Sequence, residues 1–433
     1  MPFKTAFFGL SLLIGVGVLA TLGGENGHAQ QLTGTLYTAA EYNSYMAASQ
    51  EKEPQRRIAA LDAFVERYPK SSLLPYVYTN YSTTYHELKN YPKTIEYADR
   101  LLGLGSQVEI ETRLGAIATR SSAFMQSFRD TDANKGRELT QAREVASQGI
   151  ELLDKLPMPL NITSEEFAKE KTTAKAFYHS VIGYAALELK DYNDAVTHLK
   201  LAAEAYPKDP IIFLRLGIAY LHTLAPHYLD GFSALARSAA LNGPSKEQAR
   251  KHLVDQIVSY QQCGCRNLAE READHLIAAA VKLPEKQSEL DIPSAADLQK
   301  IRESAGPILD DLQKDDETSR KLWLAVCGLE FPEVAVKILE SSKVDDTFEF
   351  KAFRSPVVEE MEKAKEPNMV IKVSHEAGVD RLKAGDYVRF HGTLVGYQWK
   401  PFLLTWENAR ISPEDLPPEK VKGKKTTSKK LGR

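Results

Sequence analysis

Along most of the chain hydrophobic residues recur every three or four positions, and only near the C-terminus does the spacing fall to two. The first period is that of helices with one buried face, the second that of half-buried strands. It predicts a helix over Ala39 to Gln50 and a second over residues 56–71. In residues 71–105, Tyr78, Tyr81 and Tyr85 fall on one helical face, and a turn at Lys89-Asn90-Tyr91 leads into another helix. Residues 109–155 hold a further pair, interrupted by the polar stretch 129–136 and ended by Pro157. Two more amphipathic helices between Ser245 and Lys282 meet near Cys263-Gly264-Cys265, as a terminal pair would. Residues 283–345 read as a helical connector, with helices at about 295–304 and 318–341. From Thr347 the alternation of Phe348, Phe350 and Ala352 with polar neighbours predicts strands, continued at Met369 to Val373, Tyr387 to Leu394 and Phe402 to Ile411.

The helical part contains a repeat. Ile182-Gly183 and Leu216-Gly217 lie 34 residues apart, and Tyr220 follows its glycine by three. Ala195, Leu199, Ala202 and Pro207 fit a second helix and its stop. Small residues belong where antiparallel helices cross closely, and proline cannot continue a helix. In the earlier unit Ser82 and Thr94 stand at the small positions. Taken together, these positions resemble the tetratricopeptide repeat (TPR) family over about residues 39–243. The resemblance implies a mainly α fold, a TPR-like helical solenoid whose first helices line a partner-binding groove. Carried over residue by residue, that groove would contain Tyr76, Asn80, Phe177, Val181, Tyr184, Glu188, Leu214, Arg215, Ile218 and His222. The clamp by which some members hold a C-terminal carboxylate is not assembled here. Asn80 and Arg215 are suitably placed, but Thr79 and Leu214 occupy positions where charge or an amide would help.

The string LKAGDYVRFHGTLVGYQWKPFLLTWENARI resembles small OB-fold barrels. The resemblance implies a C-terminal module with Tyr387, Arg389, His391, Tyr397, Trp399 and Lys400 near one surface. Beyond Ile411 the chain turns proline-rich, and residues 418–433 carry seven basic side chains against one acidic. Such a tail is too polar to bury itself and is expected to be disordered.

The N-terminus has Lys4, an uncharged run from Thr5 to Gly24 and then Gly27-His28-Ala29. This is the form of a secretory signal peptide, with cleavage expected after Ala29; an uncleaved membrane anchor is the alternative. The expected organisation is a signal peptide at 1–29, a solenoid at 30–282, a connector at 283–345, an OB-like β module at 346–411 and a basic tail at 412–433. The expected location is the bacterial periplasm.

Overall charge is only −3, from 55 basic and 58 acidic residues, which argues against nucleic acid as the partner of the whole molecule. There is no HExxH, GxSxG or Walker loop, and ten histidines are dispersed. His222 and His227 are the nearest pair, but Pro226 between them breaks the helix that would align them. No metal, cofactor or catalytic residue is therefore assigned. Three cysteines are too few for a disulfide scaffold. Cys263 and Cys265 admit a redox-active bridge, one of them admits a structural disulfide to Cys327, and all three admit a reduced state. The function expected is a non-catalytic exported scaffold that binds protein through its groove. The alternative is an envelope protein binding polyanion or glycan through the OB-like module and tail.

Overall fold

The computed structural model describes residues 37–131, 133–160, 162–241, 243–261, 266–282, 308–314, 325–374 and 377–418, together with 296, 319, 322 and 323. The expected signal peptide lies outside these residues. No helix among the described residues is long and apolar enough to cross a membrane. The chain forms two compact units, one built on residues up to 250 and one on 251–276 and the C-terminal residues.

The first unit is five antiparallel helix pairs: α1 (Ala39–Gln50) with α2 (Pro54–Arg67), α3 (Leu74–Glu87) with α4 (Tyr91–Leu102), α5 (Ile110–Ser127) with α6 (Lys135–Lys155), α7 (Ser164–Glu188) with α8 (Tyr192–Ala205), and α9 (Pro210–His222) with α10 (Tyr228–Ala240). Local chemistry sets the starts. Thr38 with Glu41 and Thr163 with Glu166 form capping boxes on α1 and α7, satisfying backbone donors that the helix leaves open. Asp209 caps α9 and Pro210 occupies its first turn, where no backbone N–H is needed.

Two of the pairs turn identically. Glu87-Leu88-Lys89-Asn90-Tyr91 and Glu188-Leu189-Lys190-Asp191-Tyr192 each place a lysine in the left-handed region, at φ 57° and 63°. The following Asn90 or Asp191 donates its backbone N–H five residues back, to Tyr85 or Ala186, and caps the next helix with its side chain. This Schellman-type closure stops one helix and starts its partner within three residues.

Glycine permits the closest crossings. A Cβ on Gly183 would lie 2.7 Å from Leu199 Cγ, and one on Gly217 would lie 2.7 Å from Leu235 Cγ. The same glycine-on-leucine contact therefore joins α7 to α8 and α9 to α10. Successive first helices also touch: α1 with α3, α3 with α5, α5 with α7, α7 with α9. The second helices do not pack on one another to that extent, so the odd-numbered helices form the inner, more tightly spaced row of the unit.

The second unit takes in most of α11 (Lys246–Gln261) and α12 (Arg266–Lys282). This corrects the expected solenoid boundary at 282, because Leu268 of α12 joins the core beneath the barrel and Tyr260 of α11 packs against it. The barrel has five strands: β1 (Glu330–Val344), β2 (Thr347–Phe353), β3 (Met369–Ser374), β4 (Tyr387–Gln398) and β5 (Leu403–Ile411). They close in the order β1-β2-β3-β5-β4, with β3 and β5 parallel and every other pair antiparallel, an OB-like arrangement. Its interior holds Phe331, Val336, Ile338, Phe350, Ile371, Phe390, Leu404 and the fully buried Trp406. Closure leaves no exposed strand edge to pair with other chains.

The barrel begins earlier than expected. Residues 330–344 are strand β1, although the sequence reading placed a helix at about 318–341 within a connector ending at 345. A register shift between Phe331 and Val334, with Glu333 at φ 43°, interrupts the two-residue alternation and hides the strand from a pattern search. At the other end the expected tail at 412–433 begins with residues that pack on the barrel. Arg389 of β4 holds Glu414 and Asp415, and Arg381 donates from Nε and Nη2 to the carbonyl of Pro417. Residues from 419 onward lie outside those described.

Cys327 is fully buried and disulfide-bonded, which removes the reading of three reduced thiols. Cys263 and Cys265 lie outside the described residues.

Candidate functional site

The inner row of the first unit carries every expected groove residue, yet the row divides them. Phe177, Val181 and Leu214 are buried, at 7%, 0% and 6% exposure, and so present no surface to a partner. The correction has a simple cause. On a helix wedged between its own partner and the neighbouring pair, successive turns at three and four residues sweep across more than one face, so positions next to groove positions become core. Phe177 and Val181 pack with Leu114, Ile117 and Tyr178.

The remaining residues form two clusters. Near the N-terminal end, Asn80 donates from Nδ2 to the hydroxyl of Tyr45 at 3.2 Å and to the carbonyl of Tyr76 at 2.9 Å. The Tyr45 and Tyr76 rings lie 6.3 Å apart. This fixes the Asn80 amide on α3, while the exposed Thr83 bonds backward to the carbonyls of Thr79 and Asn80.

The second cluster spans three consecutive inner helices. Tyr184 of α7 contacts Phe124 of α5 at 6.0 Å and Phe128, just beyond α5, edge-on at 5.9 Å. On its other side the guanidinium of Arg215, from α9, lies 3.7 Å from the Tyr184 ring centroid. Stacking on an aromatic face is the contact that suits a planar, weakly hydrated cation. No carboxylate lies within the 4.0 Å of an ion pair to Arg215 among the described residues.

Burial pushes the Arg215 pKa down from its ordinary value, opposed by Tyr184, Asp209 and Glu188. Burial likewise pushes the Glu188 carboxyl up, and Asp130 adds to the shift. The Tyr184 phenol is raised by burial and partly relieved by Arg215. Together these place a half-buried cation, a carboxyl that resists ionisation and an aromatic wall in one place. Ile218 is half-buried one turn from Arg215, and His222 is exposed, donating from Nδ1 to the Ile218 carbonyl and facing Tyr192 at 5.3 Å.

Sequence reasoning missed Phe124, Phe128 and Tyr45. The two phenylalanines stand four apart, as a face-forming pair should, but they fall in residues 109–155, where the repeat spacing is lost and offers no register for assigning a face. Tyr45 is visible only through its partner Asn80, 35 residues away.

Among the described residues no group of three or more histidine, cysteine or acidic side chains could hold a metal ion.

The barrel surface differs from its expected form. Tyr387 is exposed, and Arg389 and His391 are half-buried on the outer face of β4. Tyr397 is instead buried and contacts Trp323 at 5.4 Å. The register shift between Leu394 and Gly396 exchanges inward and outward positions, so the side chains after it point the other way. Arg389 is engaged: Nε donates to Asp415 Oδ2 at 3.0 Å and Nη2 to Glu414 Oε2 at 2.9 Å. That pairing raises the Arg389 pKa and lowers that of Asp415. Other barrel cations are matched too, Lys351 with Glu340 and Lys372 with Glu407. Trp399 and Lys400 lie together, the ammonium 5.9 Å from the indole ring.

No known protein family matches the chain, and no curated protein or solved structure does either.

Proposed function

We propose that this protein is a non-catalytic exported scaffold, built on TPR-type helix pairs, that captures a segment of a partner protein along its inner helical row. The observation that carries the reading is Arg215, half-buried and stacked on Tyr184 without a carboxylate in ion-pair range among the described residues. A guanidinium kept in such a place gains from a partner group that supplies the missing acceptors, because charge-assisted hydrogen bonds strengthen as water is excluded. Tyr184, half-buried and backed by the buried Phe124 and Phe128, offers a rigid aromatic surface beside it, and an aromatic next to an arginine is the combination from which binding hot spots are made.

Export is supported by two independent features. One is the N-terminal apolar run ending in Gly27-His28-Ala29. The other is the disulfide at Cys327, a bond that persists in oxidising compartments such as the periplasm. The outer face of β4 is less suited to polyanion capture than the sequence suggested, since Arg389 is already held by Glu414 and Asp415.

The reading is tested with the full exported chain. Tyr184→Ala combined with Arg215→Glu is expected to lower the capture of wild-type partners from envelope extracts 10- to 100-fold, equivalent to about 1.4 to 3 kcal/mol. Deletion of residues 419–433 is expected to leave capture within about twofold, because seven tail cations contribute mainly salt-screened attraction. Loss of capture in the tail deletion with retention in the groove variant would reverse the assignment.

A further inference from the structure

The hairpin α7–α8 carries a contact that the binding face does not use. His179 of α7 and His198 of α8 approach with their Nδ1 atoms 2.8 Å apart and their ring centroids 5.0 Å apart. At that distance one Nδ1 must hold a proton and the other must present its lone pair. His198 Nε2 lies 3.5 Å from Asp194 Oδ1, so a neutral His198 protonated at Nε2 leaves its Nδ1 as the acceptor. His179 is then the donor. Both rings are neutral, and the pair is satisfied by a single proton between them.

The charged groups around the pair define what a second proton would meet. Arg143 of α6 lies 2.9 Å from Asp194 Oδ2 and 3.3 Å from Asp191 Oδ2, so it already spends much of the field of those carboxylates. Lys175 of α7 faces His179 from one turn earlier and is bonded to Asp154 of α6 at 2.6 Å. Asp194 alone favours a charged His198, and Arg143 opposes it. Protonating the acceptor Nδ1 would set two N–H groups against each other across 2.8 Å, which the contact cannot survive.

We propose that His179 and His198 form an acid-sensitive latch, closed while a single proton lies between the two Nδ1 atoms and opened when the acceptor Nδ1 is protonated as well. Burial, then the neighbouring His198 and Lys175, push the His179 pKa from its ordinary 6.5 to about 4, and burial lowers that of His198. The sign follows from these directions. His179 takes up its proton near 6.5 in the open hairpin and only near 4 in the closed one, and His198 shifts in the same direction, so stability is fully present above 6.5 and is lost as pH falls toward 4. Because α7 also carries Tyr184 and Glu188, opening the latch loosens the helix on which the binding face depends.

The test is made on the intact protein. His86, on α3, also has its pKa lowered by burial, so a global melting curve mixes two sources and a local readout is needed. Imidazole resonances followed by NMR should show His179 titrating near pH 4. Amide protection factors, corrected for intrinsic exchange, should fall at least tenfold in α7 and α8 between pH 6.5 and 4.5. Those of the histidine-free pair α1–α2 should stay within about threefold. His179→Gln should flatten the pH dependence in α7–α8. If that variant does not fold, the wild-type titration decides. A His179 that titrates near 6.5, or protection that falls equally in both pairs, overturns the latch.

Discussion

Gly183→Leu is expected to destabilise the helical unit by about 3 kcal/mol or more. A Cβ at this position would sit 2.7 Å from Leu199 Cγ and 3.1 Å from the Leu199 backbone nitrogen. The leucine side chain can rotate aside, but the backbone of α8 cannot yield without spreading the pair. Leucine is the better helix former by about 1 kcal/mol, a gain too small to offset overpacking by four carbons in a fully occupied crossing. Gly183→Ala separates the two effects. Its single added carbon makes the same contacts with the Leu199 side chain and nitrogen but brings none of leucine's three further carbons, so its cost should be well below that of leucine. Denaturant titrations of both variants check this, and a leucine variant within about 0.5 kcal/mol of wild type would show that the pair is not packed as described.

Trp406→Ala is expected to cost the barrel unit about 3 to 5 kcal/mol, the range for removing a fully buried large aromatic. Trp406 is 0% exposed and meets Phe331 and Phe390 edge-on, at 5.4 and 5.2 Å. Its loss leaves a void that the strands, locked in a closed ring, cannot collapse to fill. Trp406→Phe should cost far less, about 1 kcal/mol. The indole Nε1 is buried without a hydrogen-bond partner among the described residues, so replacing it sacrifices volume but no bond. Near-equal losses in the two variants would mean that Nε1 has a partner after all.

Much of this architecture was legible because it is written locally. The turn at Lys89-Asn90 is encoded by its own residues, and the register of Gly183 with Leu199 follows from one helix length and a short turn. The strand Tyr387–Gln398 was legible as far as Leu394, where a simple alternation holds. What stayed hidden depends on irregularity or on partners distant in sequence. The positive φ at Glu333 disguised β1 as helix, and the shift after Leu394 turned Tyr397 from surface to core. For the binding face, sequence supplied the row of helices but could not separate Arg215 from its neighbour Leu214. One residue of rotation, 100° on a helix, decides which of them reaches solvent. Phe124 could be placed beside Tyr184 only once the pair at 109–155 had a register of its own.

The most direct test of the binding face is site-specific photo-crosslinking in the producing cell. A benzophenone amino acid is introduced into the full chain either at Ile218, beside Arg215 on the inner row, or at Tyr387, 49% exposed on the barrel. The account predicts that position 218 gives a discrete crosslinked partner band, that Arg215→Glu in the same chain removes it, and that position 387 does not give that band. A discrete partner crosslinked at 387 but not at 218, or a band at 218 unaffected by Arg215→Glu, would contradict it.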